Sequence, residues 1–315
     1  MSIPLLFDTD IGSDVDDAIA LALTLAEPEA LGLVAVTTVA GNTRGRAFAA
    51  ARLLGLAGRQ DVEVCVGAEA PLVRRGRFVW RDIETEGYPD GPDAPISDEP
   101  AAERIVRAAR EIPGLEIAAI GPLTNLAHAL ALDPELPKRV SRLTIMGGHV
   151  RRVAIGEHVC EPGIDYNLCS DPEASVMVLG AGFEVRLVTA DVTLQTWLRE
   201  ADLERLAAAP GPLAPALVRL INLWTPWQRK IFTGLGGTLA PDNAAFLHDP
   251  LTLLSLLEPA PLHFERLRIL PTISSGVMRT LEVAPQLALG APMEVATRVD
   301  PVAASEAIVQ RLLRV

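Results

Sequence analysis

The stretch Ile3-Pro4-Leu5-Leu6-Phe7-Asp8-Thr9-Asp10-Ile11-Gly12-Ser13-Asp14-Val15-Asp16-Asp17-Ala18 passes from an apolar β-type run into a loop with five carboxylates in ten residues, then into helical spacing over 16–26. A strand that stops at Gly and polar residues and turns at once into a helix is the opening of a βαβ unit. The order repeats. Further strands are expected at 33–38, 62–66, 116–120, 140–146 and 184–189, with helices at 43–56, 98–110, 123–132 and 172–179 between them. This alternation predicts an α/β fold, a Rossmann-like open and mostly parallel sheet flanked by helices, in one domain over 1–315. Beyond Asp191 the pattern is more helical, at 198–209, 213–231 and 244–257, before strands near 267–270, 276–282 and 293–298 and a closing helix. The segments 71–100 and 147–170 read as long irregular loops, which in a compact domain usually serve a function.

Four strands end in small or polar residues: Asp8 to Gly12, Thr37 to Asn42, Gly121 to Asn125, and Gly147-Gly148. In an open parallel sheet these carboxyl ends share one edge, where ligands bind.

The chain has 315 residues, is 49% hydrophobic and 22% charged, and carries a net charge of −12. That suffices for a large core and argues against nucleic acid or an anionic membrane surface as partner, since both draw affinity from Lys and Arg. The three cysteines, Cys65, Cys160 and Cys169, are too few and scattered for a disulfide framework. The N-terminus has no basic segment followed by a long apolar stretch, and no apolar run reaches transmembrane length. A cytoplasmic protein is expected.

Five close carboxylates cannot all stay ionised without a positive charge among them. With oxygen donors only, a hard cation fits, calcium ahead of magnesium. Helix capping accounts for one aspartate, not five. An EF-hand is disfavoured by the preceding strand and the missing Glu at the twelfth loop position. An Asp-x-Asp phosphatase is disfavoured by Asp14, Asp16 and Asp17, which would repel phosphate. Gly234-Leu235-Gly236-Gly237-Thr238 lacks the Lys of a P-loop, and there is no Gly-x-Ser-x-Gly elbow for acyl transfer.

Taken together, Asp8 to Ala18, Thr37-Thr38-Val39-Ala40-Gly41-Asn42, Gly121-Pro122-Leu123-Thr124-Asn125, Met146-Gly147-Gly148, Asp165-Tyr166-Asn167 and His248-Asp249-Pro250 resemble the inosine-uridine-preferring nucleoside hydrolases. The resemblance implies calcium-dependent hydrolysis of ribonucleosides to ribose and free base, in a homodimer or homotetramer. A riboside-binding sensor without catalysis is the alternative. The resemblance further implies that Asp10, Asp17, Asp249 and the carbonyl of Ile120 hold the metal, with Asp10 also the base toward water. Asp16 and Asn167 would hold the 2′-hydroxyl, Asp249 the 3′-hydroxyl and Asp165 the 5′-hydroxyl. Asn42 would sit beside the water and Met146 would line the ribose pocket. His248, immediately before Asp249, is read as the group that protonates the leaving base, ahead of a structural role. Asp165 stands where many members have Glu, Asp14 is an additional carboxylate read as a helix cap or an outer-shell charge, and residues 78–95 lack the His-Gly stretch many relatives carry. Trp224 and Trp227, one helical turn apart, are read as core packing ahead of base stacking.

Overall fold

The computed structural model describes residues 2–73, 86–163 and 165–315. Its strands are β1 (Ile3–Thr9), β2 (Leu31–Thr38), β3 (Glu63–Val66), β4 (Ile96–Ser97), β5 (Glu116–Ala119), β6 (Arg142–Met146), β7 (Val153–Ile155), β8 (His158–Cys160), β9 (Val185–Val188), β10 (Trp197–Arg199), β11 (Asn243–Phe246), β12 (Leu262–Ser274), β13 (Val277–Val283) and β14 (Ala291–Val299). Ten of them form one sheet in the order β13-β12-β14-β9-β6-β5-β1-β2-β3-β4. From β4 to β14 every pairing is parallel; β12 runs antiparallel to both β14 and β13.

Helices cover both faces and enclose two apolar layers, one containing Phe7, Ile19, Leu53 and Leu251, the other Leu6, Ile117, Leu126 and Ile145. Leu5, Leu6 and Phe7 are all fully buried, so β1 reads as a continuous apolar run. The chain builds outward from β1 through β2, β3 and β4, then returns to β1's other side with β5. That reversal opens a crevice beyond the carboxyl ends of β1 and β5.

Three expectations need correction. Residues 244–257 are not one helix: Asn243–Phe246 is β11, paired antiparallel with β10, and the helix His248–Leu257 follows Leu247, whose ψ of 49° breaks the strand. The helix expected from 198 begins at Glu200, because Leu198 lies in β10. The loop expected over 147–170 contains the β7–β8 hairpin, turned at Gly156 with φ 64°. Within the segment 78–95, residues 78–85 lie outside those described. No helix among the described residues is long and apolar enough to cross a membrane.

Candidate active site

The carboxylates of 8–17 divide according to where β1 ends. Asp8, still in the strand and fully buried, turns sideways to accept hydrogen bonds from Thr37 Oγ1 and, at 2.8 Å, from Asn125 Nδ2. Asn125 also donates to the Thr38 carbonyl and accepts from Ala68 N–H. Asp8 is therefore a tie between β1, β2 and the loop after β5, and its burial pushes the carboxyl up to about 7. Asp14 accepts from the N–H groups of Val15 and Asp16, in keeping with a helix-start role.

Asp16 and Asp17 occupy the first turn of the helix Asp16–Leu25, and Asp249 the first turn of His248–Leu257. Asp16 Oδ2 accepts the Asp249 N–H at 3.3 Å, so the two helix N-termini converge, and their dipoles favour negative charge there. One carboxylate oxygen each from Asp16, Asp17 and Asp249 lies within 4.8 Å of the others, and all three residues are buried. Burial, reinforced by mutual repulsion, holds these three carboxyls well above the ordinary range. Such a set, with oxygen donors alone and carboxylates that repel one another despite the nearby Arg46 charge, fits a hard divalent cation. Asp10 stands outside this triad but close enough that its charge raises Asp17, and it lines the same cleft. Gly121 makes this approach possible: a Cβ there would lie 2.7 Å from Asp10 Oδ1.

Arg46, which the sequence did not single out, organises the acidic loop. Its buried guanidinium donates to the carbonyls of Asp10, Ile11 and Ala40 and to Ser13 Oγ, at 3.0 Å to Ile11 and 3.1 Å to Ser13. The available signal was its position on the inward stripe of Thr43–Leu56, in register with Ala50 and Leu53. Arg46→Met is expected to lower stability by about 2–3 kcal/mol, because carbonyls stay buried without donors. Thermal unfolding tests this, and an unchanged melting temperature would refute it.

On the other side of the crevice, Asn167 Nδ2 donates to the carbonyls of Ile120 (2.7 Å) and Met146 (3.2 Å), bringing together the ends of β5 and β6. Asp165 caps the short helix Tyr166–Ser170 by accepting Leu168 N–H at 2.9 Å; burial raises its carboxyl to about 6. His248 Nδ1 lies 2.6 Å from Thr193 Oγ1, its ring packs on Phe246, and burial brings it down to about 4. It therefore stands neutral at pH 7.

These groups open into one cleft of about 730 Å³. Asp10, Asp16, Asp17, Ile120, Met146, Asp165, Asn167, His248 and Asp249 all line it; Asn42 does not. Asn42 is exposed, and its Oδ1 caps the helix Thr43–Leu56 by accepting Gly45 N–H at 3.0 Å. Trp224 lines the cleft with Ile231, Phe232 and Leu235, whereas Trp227 packs beside the core under Lys230. His149, His158, Tyr166 and Arg279 are further lining residues that had no assigned part.

Comparison with known proteins agrees with this geometry. The family model "Inosine-uridine preferring nucleoside hydrolase" matches residues 5–306. A pyrimidine-specific ribonucleoside hydrolase of Citrobacter koseri is 36% identical over 82% of this chain and 80% of its own length. One from a Shewanella species is 37% identical over 82% and 79%. A plant nucleoside hydrolase structure superposes with a TM-score of 0.85 at 26% identity, covering 99% of both chains. A purine-preferring ribonucleoside hydrolase from Gardnerella vaginalis, at 23% identity, 98% coverage of both chains and a TM-score of 0.81, shares the fold. A match spanning nearly the whole chain, joined to an acid triad at the reversal point of the sheet, means that the chain belongs to the inosine-uridine preferring nucleoside hydrolase family of N-glycosyl hydrolases.

Proposed function

We propose that the protein hydrolyses the N-glycosidic bond of ribonucleosides with the help of a calcium ion held by Asp10, Asp17, Asp249 and the carbonyl of Ile120. The observation that carries the reading is the buried convergence of Asp16, Asp17 and Asp249 at two helix N-termini, inside a cleft large enough for a nucleoside. Calcium, when bound, would supply positive charge for the ribose hydroxyls and acidify the attacking water.

The remaining chemistry belongs to side chains. Asp10 accepts the water's proton. Asp16 and Asn167 hold the 2′-hydroxyl and Asp249 the 3′-hydroxyl. These contacts orient the sugar, and the surrounding carboxylates stabilise the positive charge that develops on it as the bond to the base lengthens. Met146 lines the ribose, and Asp165 faces the 5′ end. Trp224 and the apolar side chains of the helix Leu213–Gly234 exclude water around the base. Neutral His248, oriented by Thr193, presents its remaining ring nitrogen to the departing base; as a hydrogen-bond donor it contributes less than a full proton transfer would.

Sugar release from uridine, cytidine, inosine and adenosine, before and after calcium is stripped, tests the reading; the pyrimidine specificity of the curated relatives makes uridine and cytidine the first to try. Release is expected to fall at least ~100-fold on stripping and to return with calcium. Nucleoside binding without release from any of the four would replace the hydrolase with a sensor.

A further inference from the structure

Arg279 is the only Lys or Arg among the described residues lining the cleft, and within the described residues no hydrogen bond or ion pair engages its guanidinium. It lies on β13, and the next residue, the buried Thr280, accepts the main-chain N–H of His149 at 3.0 Å, so the strand is pinned to the Gly147-Gly148-His149 loop. The guanidinium itself sits at the Asp165 end of the cleft: a Cβ on Gly163 would lie 3.2 Å from Nη1. His149, also lining the cleft, is buried, and its Nε2 has no partner among the described residues. Asp165 itself already accepts N–H groups from the helix it caps. A sugar hydroxyl arriving here can donate to Asp165, but its oxygen lone pairs still need a donor.

Resting on the ribonucleoside reading above, we infer that Arg279 is a specificity-determining residue that donates to an oxygen on the 5′ carbon of the substrate. A cation in a cleft that otherwise gathers carboxylates has a function if it meets an acceptor on the ligand. The inference concerns only the oxygen at the 5′ position and leaves the base untouched.

The test pairs two substrates with two proteins. With the best nucleoside, Arg279→Gln is expected to lower kcat/KM about 10- to 100-fold, mainly through KM, the size expected for losing a charge-assisted hydrogen bond. With the matching 5′-deoxynucleoside the change is expected to stay within about two-fold, since there is no oxygen to lose. Binding of methyl ribofuranoside and its 5-deoxy analogue to the calcium-loaded protein is measured alongside, so that the inference is judged even if no nucleoside is hydrolysed. The 5-oxygen should strengthen binding to the unsubstituted protein and not to Arg279→Gln. Equal losses for both members of a pair, or no loss for either, would overturn the assignment.

Discussion

Asp10→Asn is expected to lower kcat by about 10²–10⁴-fold while leaving the protein at least as stable as before, because the change removes a proton acceptor and almost no volume. Stability should hold because the Arg46 hydrogen bond goes to the main-chain carbonyl of Asp10, which the substitution keeps, and burial of the carboxylate outweighs its attraction to the Arg46 charge. Loss of a charge that burial already disfavours should help the metal-free fold. The informative comparison is Asp17→Asn. Both residues are proposed ligands, so both variants should raise the calcium requirement; Asp17→Asn should recover at saturating calcium, whereas Asp10→Asn, which also lacks the proton acceptor, should keep its kcat loss there. Kinetics across a calcium series, with melting curves of both variants, separate these outcomes. If Asp10→Asn keeps activity within ten-fold, another group is the base; if it unfolds, the kinetic loss says nothing about proton transfer.

The parts legible in the sequence are those where one physical cause acted alone. Residues 3–7 and 33–38 show as strands because their apolar runs are buried in the middle of the sheet, and Thr43–Leu56 and Pro172–Leu179 follow Asn42 and Asp171, which accept the N–H bonds of their first turns. β11 was concealed because its apolar residues run into an apolar helix, with Leu247 alone marking the break. The β7–β8 hairpin was concealed because its strands have only three residues each and β8 is largely exposed, leaving no periodicity to read.

The site divides in the same way. Asp10, Asp16 and Asp17 announce themselves as acid crowded where β1 ends, whereas Asp249, a lone acid inside an expected helix, was marked only by the family resemblance of His248-Asp249-Pro250. Arg46 and Arg279 are single cations whose importance lies in what other elements bring to them: loop carbonyls for one, the open end of the cleft for the other. Asn42 is the converse case: the resemblance put it beside the attacking water, whereas its Oδ1 caps the helix Thr43–Leu56 by accepting Gly45 N–H and it is not among the residues lining the cleft.

The largest stability effect should appear when calcium is stripped and the pH is raised. Asp8 is held at about 7, Asp10 at about 6, Asp14 at about 7 and Asp165 at about 6, against ordinary values of 3.8, each chiefly through burial. A carboxyl with a raised folded pKa keeps its proton in the folded state after the unfolded chain has lost it. The stability this provides is complete below about pH 4 and disappears as the pH climbs through 6 and 7. Surface carboxylates such as Glu306, lowered to about 2 by the Arg205 hydrogen bond, act in the opposite sense, but only below about pH 4.5, so the two windows separate. Stripped protein is therefore expected to melt on the order of 10 °C lower at pH 8 than at pH 5. Millimolar calcium should reduce that difference, because an ion among Asp10, Asp17 and Asp249 favours their charged forms while Asp8 and Asp165, away from it, keep their share, and it should do so better than magnesium, which tolerates irregular oxygen shells poorly. Melting curves at the two pH values, stripped and reloaded, decide the matter. A flat profile in the stripped protein would mean that Arg46 and the helix dipoles already compensate the cluster, and the case for a cation there would fail.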